Sequence, residues 1–141
     1  HMFDMKLDDF DHFETIHNYI DHENNMIRKG AVSAKEGEIL LIPINMRDGS
    51  LICVGKGNDE WNCSAPHGAG RLYSRGKAKE LFTVDEFANT MDGIFSTSIN
   101  SDTLDECPMA YKSMEDITKN IADTVDIIKT IHPLYNFKAS S

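Results

Sequence analysis

The chain has 141 residues, of which 40% are hydrophobic and 26% charged, an ordinary balance for one globular domain that buries its own core. Every apolar run is far shorter than the ~20 residues that a membrane-spanning helix needs, and no signal-peptide pattern opens the chain. We therefore expect no membrane contact and a cytoplasmic location. The formal net charge of −9 argues against a general nucleic-acid coat protein, which normally has a basic surface, although it allows a local basic site.

The three cysteines predict free thiols rather than a disulfide framework. Cys53, Cys63 and Cys107 cannot all pair within one chain, and no two of them have the CxxC spacing of a zinc knuckle or redox motif. Buried thiols in a reducing cytosol are the expected outcome.

The amino-terminal part of the chain has a helical pattern. Phe10, Phe13, Ile16 and Ile20 recur at spacings of three and four and would share one face of a helix over residues 10–24. Gly30 ends this region.

Two strands are predicted next. Residues 38–43 form an apolar run that ends at Pro43, and residues 51–54 form a second run after the turn at residues 47–50. Together they predict a hairpin.

The second half of the chain mixes helices and strands. Thr83 followed by Glu86 is a capping-box pattern, and it predicts a helix over residues 84–92 that stops at Gly93. We expect a short strand over residues 94–99 and a turn over residues 102–108. A long helix is predicted over residues 113–131, because five apolar side chains are spaced three or four apart, and Pro133 would end it. The irregular alternation of elements predicts an α+β fold of mixed strand and helix layers.

The segment from residue 64 to residue 79 has weak periodicity and is predicted to be a functional loop. It contains Pro66-His67-Gly68-Ala69-Gly70-Arg71, followed by Ser74-Arg75. The glycines let the backbone turn sharply near a ligand, and successive N–H groups in such a turn can cradle an anion. Four of the chain's 14 basic residues fall within nine positions here, which suggests a site for a phosphate-rich ligand: Arg71, Arg75, Lys77 and Lys79.

His67 heads this loop and is the candidate nucleophile. A neutral imidazole nitrogen can attack an activated phosphorus, and attack on the α-phosphate of a nucleotide would give a phosphoramidate that hands the nucleotide onward. The spacing alone is also consistent with a surface histidine in a glycine-rich turn, since such short patterns are common.

Several motifs in order resemble the RtcB family of RNA ligases. They are Arg28-Lys29-Gly30-Ala31, the glycine loop from Pro66 to Arg71 with Ser74-Arg75-x-Lys77-Ala78, Ser96-Thr97-Ser98, and Asp105-Glu106-x-Pro108 with Ala110-Tyr111-Lys112. The resemblance extends from about His17 to the end of the chain, and it implies the carboxyl-terminal part of the RtcB fold.

The resemblance implies a reaction. RtcB ligases join an RNA 3′-phosphate, or a 2′,3′-cyclic phosphate, to a 5′-hydroxyl, using GTP and manganese through a histidine-bound GMP. It would make His67 the catalytic residue that takes GMP. The other roles it implies are phosphate or RNA contacts for Arg71 and Arg75, a manganese ligand in His17, and nucleotide contacts for Asn45, Ser50, His67, Gly68, Ala69, Gly70 and Lys138.

The metal site implied by the family is incomplete in this sequence. The family also uses a cysteine, an aspartate and further histidines from its amino-terminal half, and Cys53 and Cys63 are in the wrong place to supply that cysteine. We therefore expect residues 3–141 to be the carboxyl-terminal portion of a ligase. His1 and Met2, which precede the natural segment, are predicted to be a cloning remnant. The expected partners are RNA ends, an archease-like activator and the missing half. An exposed apolar surface would lead the isolated chain to self-associate.

Two other functions stay open at the level of sequence. One is a nucleotide-binding phosphotransferase that uses the His67 loop, although no complete set of acid, base and metal groups can be assembled for it. The other is a non-catalytic module that binds anions or RNA, for which the acidic total charge is unfavourable.

Overall fold

The computed structural model describes residues 6, 8 and 10–138; His1 and Met2, for which a cloning remnant is predicted, lie outside them. Strands and short helices alternate along the chain, which confirms the α+β class. The strands are β1 (His17–Asp21), β2 (Met26–Ser33), β3 (Ile39–Asn45), β4 (Gly49–Gly55), β5 (Ser64–Pro66), β6 (Phe95–Ser96), β7 (Val125–Ile131) and β8 (Tyr135–Asn136). The helices are α1 (Arg75–Leu81), α2 (Val84–Thr90) and α3 (Met114–Ile121), with short 3-10 turns at Asp59–Trp61, Leu104–Glu106 and Pro108–Ala110.

The strands form three small sheets. One has the order β1-β2-β5 and another the order β3-β4-β7, and both are antiparallel. The third is a parallel pair of β6 and β8. Pro43 lies in β3, which is an edge strand of its sheet, the position in a sheet that tolerates a residue with no N–H.

The predicted hairpin of residues 38–54 is confirmed. Alternate residues of β3, namely Leu40, Ile42 and Ile44, are buried, as the period of two in a strand requires. They belong to a core that also includes Leu51 and Cys53 of β4.

A second core lies under the helices. Phe87 of α2, Met91 and Cys107 are almost completely buried there, and Tyr111 packs against both cores. The capping box predicted for α2 is present, because Thr83 and Glu86 each accept a backbone N–H of the other. None of the helices within the described residues is long and apolar enough to cross a membrane.

The helix predicted for residues 10–24 is wrong. Residues 17–21 form β1 instead, and the side chains counted as one helical face are exposed: Phe10, Phe13, Ile16 and Ile20. Asn18 and Asn25 have positive φ, which a helix excludes, and the Asn18 Oδ1 accepts the Gly30 N–H at 2.6 Å. Pairing with β2, which the sequence analysis missed, therefore outweighs the local helical pattern.

Three other predicted elements are corrected in extent. The helix predicted for residues 113–131 ends at Ile121, and residues 125–131 form β7 against β4. Only Phe95–Ser96 of the strand predicted for residues 94–99 is a strand. The loop predicted for residues 64–79 contains β5 at one end and the start of α1 at the other.

Candidate functional site

One cavity of about 1070 Å³ gathers every residue to which the family resemblance assigned a role, whereas Lys77 and Lys79, also predicted for the phosphate site, do not line it. The residues with an assigned role come from β1, β3, β4, the loop between β5 and α1, the first turn of α1 and the carboxyl-terminal tail. They are His17, Asn45, Ser50, His67, Gly68, Ala69, Gly70, Arg71, Arg75 and Lys138.

The loop that carries His67 is held at both ends by backbone hydrogen bonds. The His67 N–H donates to the Gly30 carbonyl at 3.3 Å, and the Ala69 N–H donates to the Pro43 carbonyl at 3.0 Å. Beyond the turn, the Lys112 N–H donates to the Gly70 carbonyl at 3.2 Å. Two of the N–H groups expected to cradle an anion are therefore engaged within the protein and not available to a ligand.

The two glycines of this loop, Gly68 and Gly70, are required for different structural reasons. A Cβ on Gly68 would lie 3.2 Å from the Pro43 carbonyl oxygen, tighter than ordinary contact, so β3 and the loop approach each other closely at this point. Gly70 has a φ of +73°, a conformation that residues with a Cβ rarely adopt.

The rings of His67 and His17 are neighbours at the cavity wall. Their centroids are 5.2 Å apart and their planes differ by 45°. Burial lowers the pKa of His67, and the adjacent His17 lowers it further, because both disfavour the charged ring. A neutral imidazole has a free nitrogen lone pair, so the environment of His67 favours the nucleophilic form.

Four cations surround two adjacent carboxylates on one side of the site. Arg75 contacts Asp105 at 3.0 Å, Lys79 contacts Asp105 at 3.6 Å, and Lys138 contacts Glu106 at 3.3 Å. Arg71 forms an ion pair with Glu106. With four cations and two carboxylates, the cluster carries a net charge of +2 (4 − 2) inside a chain of net charge −9.

Arg71 is fixed from several sides. Its guanidinium donates to the Asp105 carbonyl and to the Glu106 carboxylate, and it lies over the Tyr111 ring at 4.7 Å from the centroid. The Tyr111 hydroxyl donates to Glu106 at 2.8 Å. Burial and this acceptor carboxylate raise the pKa of Tyr111, so the phenol stays protonated.

Glu106 is anionic within this cluster. Burial by itself would raise the pKa of its carboxyl, but the hydrogen bond from Tyr111 and the charges of Lys138 and Arg71 outweigh burial and lower it. Asp105 is 1% exposed, and its Oδ1 accepts no hydrogen bond from the described residues. The buried carboxylate is compensated by the ion pairs with Arg75 and Lys79 instead.

Lys138 is anchored by its backbone. Its N–H donates to the Ser98 hydroxyl at 2.8 Å, and that hydroxyl donates to the Lys138 carbonyl at 3.1 Å. The end of the described chain is thus tied to the segment after β6, and the Lys138 side chain reaches the cavity.

Asn45 and Ser50 line the cavity from the β3–β4 hairpin. The Asn45 Oδ1 accepts the N–H groups of Arg47 and Asp48, and its Nδ2 donates to the Asp48 carboxylate at 2.8 Å. The Asn45 amide therefore shapes the hairpin turn. Ser50 lies within β4 opposite Pro43 and lines the cavity.

The sequence analysis assigned no role to several other residues of this wall. Glu106 and Tyr111 contributed only to the family resemblance, and His132 and Asn136 were not singled out, yet all four line the cavity. The signal that could have pointed to Glu106 is the Asp105-Glu106-x-Pro108 motif, which was used only for the family resemblance.

The described residues do not make a complete metal site. Across residues 6, 8 and 10–138, no three side chains of histidine, cysteine, aspartate or glutamate come together as a metal-binding group. Burial raises the pKa of Cys53 to about 11 and also raises that of Cys107, so both thiols stay protonated and are poor ligands. His17 and His67 supply two imidazoles, whereas manganese in proteins normally takes several O and N ligands.

Comparison with known proteins identifies related sequences over nearly the whole chain. Residues 2–139 match a protein family described as tRNA-splicing ligase RtcB. The RNA-splicing ligase RtcB of Escherichia coli (strain K12) is 39% identical over 121 residues, which are 82% of this chain and 29% of that protein. The tRNA-splicing ligase RtcB of Aeropyrum pernix is 36% identical over 96 residues, which are 64% of this chain and 20% of that protein. The chain thus spans less than a third of the length of these relatives.

Proposed function

Because the chain belongs to the RtcB family of tRNA-splicing ligases, we propose that the full-length protein that carries it joins RNA 3′-phosphate or 2′,3′-cyclic phosphate ends to 5′-hydroxyl ends. The single observation that carries the proposal is the position of His67. Its imidazole, whose pKa is lowered, shares one cavity with Arg71, Arg75 and Lys138 of a cluster that has a net charge of +2.

In the first step, a ring nitrogen of neutral His67 attacks the α-phosphorus of GTP. A nitrogen–phosphorus bond forms, the bond from phosphorus to the bridging oxygen breaks, and pyrophosphate leaves. A protonated ring could not attack, so the low pKa of His67 keeps the nucleophile available at neutral pH.

In the second and third steps, the guanylate is transferred to the RNA 3′-phosphate and then released as GMP. A 2′,3′-cyclic phosphate is first hydrolysed, so that water breaks the bond from phosphorus to the 2′-oxygen and leaves a 3′-phosphate. An oxygen of the RNA 3′-phosphate attacks the guanylate phosphorus, and the nitrogen–phosphorus bond breaks. The 5′-hydroxyl then attacks the 3′-phosphorus, loses its proton and displaces GMP. Each step concentrates negative charge, and Arg71, Arg75 and Lys138 are placed to offset it.

The nucleotide would lie in the cavity that the glycine loop and the β3–β4 hairpin line together. Gly68, Ala69 and Gly70 line the cavity together with Asn45 and Ser50 of the hairpin, and Lys138 enters from the tail. The Asn45 amide is already bonded to Arg47 and Asp48. Asn45 would therefore support nucleotide binding mainly by fixing the shape of the hairpin turn.

Among the described residues, we assign one candidate manganese ligand, His17. His17 would contribute an imidazole to a site whose other ligands come from outside the described residues, and the ion would stabilise charge on the reacting phosphates. We expect the isolated chain to be incomplete as a ligase.

Labelling with GTP tests the proposal. The full-length protein is incubated with GTP radiolabelled at the α-phosphate and with manganese, and we expect acid-labile label that His67→Ala abolishes. His22→Ala is the matched control, since His22 is an exposed histidine after β1, and it should retain the label.

Label retained by His67→Ala would remove His67 from the mechanism. The isolated 141-residue chain should take up little or no label. Robust labelling of that chain would show that it already holds everything the first step requires.

A further inference from the structure

The Glu106 carboxylate joins three segments of the chain that are distant in sequence. It accepts from the Arg71 guanidinium of the His67 loop and from the Tyr111 hydroxyl at 2.8 Å, and it lies 3.3 Å from the Lys138 Nζ of the tail. The side chain of Glu106 is 15% exposed, at the edge of the cavity that holds His67.

We propose that Glu106 is a positioning residue, which holds Arg71, Tyr111 and Lys138 in the orientation that the phosphate-transfer steps require. The proposal rests on the proposed function of this cavity. Glu106 would act through these three side chains and would not itself contact the transferred phosphate.

The need for such a residue follows from the flexibility of the groups it holds. Arginine and lysine side chains have many rotamers, and backbone anchors do not fix their charged ends. The backbone of Lys138 is held by Ser98, but Glu106 is the carboxylate within reach of its Nζ among the described residues. Without Glu106 as their common partner, the charged groups of Arg71 and Lys138 would stay near the cavity but would no longer have a fixed orientation.

The orientation of Arg71 shows what Glu106 achieves. One terminal nitrogen of the guanidinium donates to the Asp105 carbonyl, the other donates to Glu106, and the plane lies over Tyr111. A guanidinium has five N–H donors, so donors remain for a phosphate oxygen. The short turn Leu104–Glu106 therefore fixes the orientation of the Arg71 guanidinium.

A change in the net charge of the cluster distinguishes a positioning role of Glu106 from an effect on the electrostatic attraction of anions. The four cations and two carboxylates of the cluster sum to +2, and Glu106→Gln would change the sum to +3 (4 − 1). The neutral amide has one acceptor oxygen in place of two and no charge, so it cannot hold Arg71, Tyr111 and Lys138 together. Anions should then bind at least as tightly as before, whereas the reaction should slow.

Kinetics of the full-length protein test this split. At saturating GTP, we expect Glu106→Gln to slow labelling of His67 by about tenfold or more, with the KM for GTP unchanged or lower. Glu106→Asp keeps the charge and should recover part of the rate. Glu115→Gln is the matched control, because Glu115 also pairs with a lysine, Lys119 at 2.8 Å, but on the exposed face of α3.

Side-chain NMR of the 141-residue chain provides a readout that does not depend on turnover. The signals of the Arg71 terminal N–H groups, one of which donates to Glu106, should exchange with water faster in Glu106→Gln than in Glu115→Gln, while Tm stays within a few degrees for both.

The proposal is overturned if Glu106→Gln matches Glu115→Gln in labelling rate, or if the Arg71 signals are unchanged. It is also overturned if Glu106→Gln labels faster and binds GTP more tightly, since Glu106 would then be a competitor of phosphate. His67→Ala in the same assay separates the two claims: label kept by His67→Ala overturns the proposed function, whereas an unaffected Glu106→Gln overturns only the positioning role.

Discussion

At the scale of single residues, the environment of His67 determines the chemistry it can perform. Its ring is partly buried beside the ring of His17, and both features lower its pKa. A histidine of ordinary pKa, near 6.5, is partly protonated just below neutral pH. His67 therefore stays neutral over a wider range on the acidic side and remains able to attack phosphorus there.

His17→Gln should raise the pKa of His67 part of the way back toward 6.5. Burial, the larger cause of the shift, remains in this variant, and only the charge of His17 is removed. The measurement is an NMR pH titration of the His67 ring protons, with His22→Gln as the control. An equal pKa in both variants would contradict the coupling.

The lowered pKa of His67 also determines how this residue makes the stability of the fold depend on pH. The pKa of His67 is lower in the folded chain than in the unfolded chain, so the unfolded chain binds this proton more readily. The contribution of His67 to stability is therefore present above the unfolded-chain pKa and is lost as the pH falls below it.

At the scale of elements, long-range contacts determine where α3 ends. The Ser113 hydroxyl accepts the Asp116 N–H and begins the helix. Lys56 Nζ donates to the Ala122 carbonyl at 2.7 Å, and Asn58 Nδ2 donates to the Asp123 carbonyl at 3.0 Å. These donors, from the segment after β4, occupy carbonyls that a longer helix would need.

The capping box of α2 predicts a measurable loss of stability. Thr83→Ala removes both hydrogen bonds of the Thr83 hydroxyl, from the Glu86 N–H and to the Glu86 carboxylate, and should lower the free energy of unfolding by ~1 kcal/mol. Thr118→Ala is the control, a threonine inside α3, and should change it by less than about 0.5 kcal/mol. Urea denaturation measures both, and equal losses would show that the capping box contributes nothing specific.

At the scale of the whole molecule, the described surface carries many uncovered apolar side chains. Along β7 every residue after Val125 is exposed, and Leu134 beyond it is 89% exposed. Phe95 and Tyr135 stack on each other and are both exposed. A single soluble domain rarely leaves so much apolar surface in contact with water.

The isolated 141-residue chain should therefore self-associate, and Leu134→Lys should weaken the association. The backbone carbonyl of Leu134 accepts the Phe95 N–H, and the substitution leaves that bond in place. Asn89→Lys adds the same charge on exposed α2 and is the control. Analytical ultracentrifugation gives the result; a chain that stays monomeric at all concentrations would contradict the prediction.

Local patterns were sufficient where neighbours in sequence decide the structure. The α2 capping box depends on residues three apart, and the β3–β4 hairpin depends on alternation within each strand and the turn between them. The glycine loop and its arginines were selected by residue type and order, and the structure brings them to one cavity with Lys138.

The amino-acid sequence by itself therefore determined the α+β class, the family and those cavity residues to which the family resemblance gave a role. Only the tertiary structure decided that residues 17–21 and 125–131 are strands, because their hydrogen-bond partners in β2 and β4 outweigh a helical spacing of apolar residues. The tertiary structure also decided that Glu106 is the common partner of Arg71, Tyr111 and Lys138. The reason is that ion pairs and hydrogen bonds depend on distance in space and not on separation along the chain.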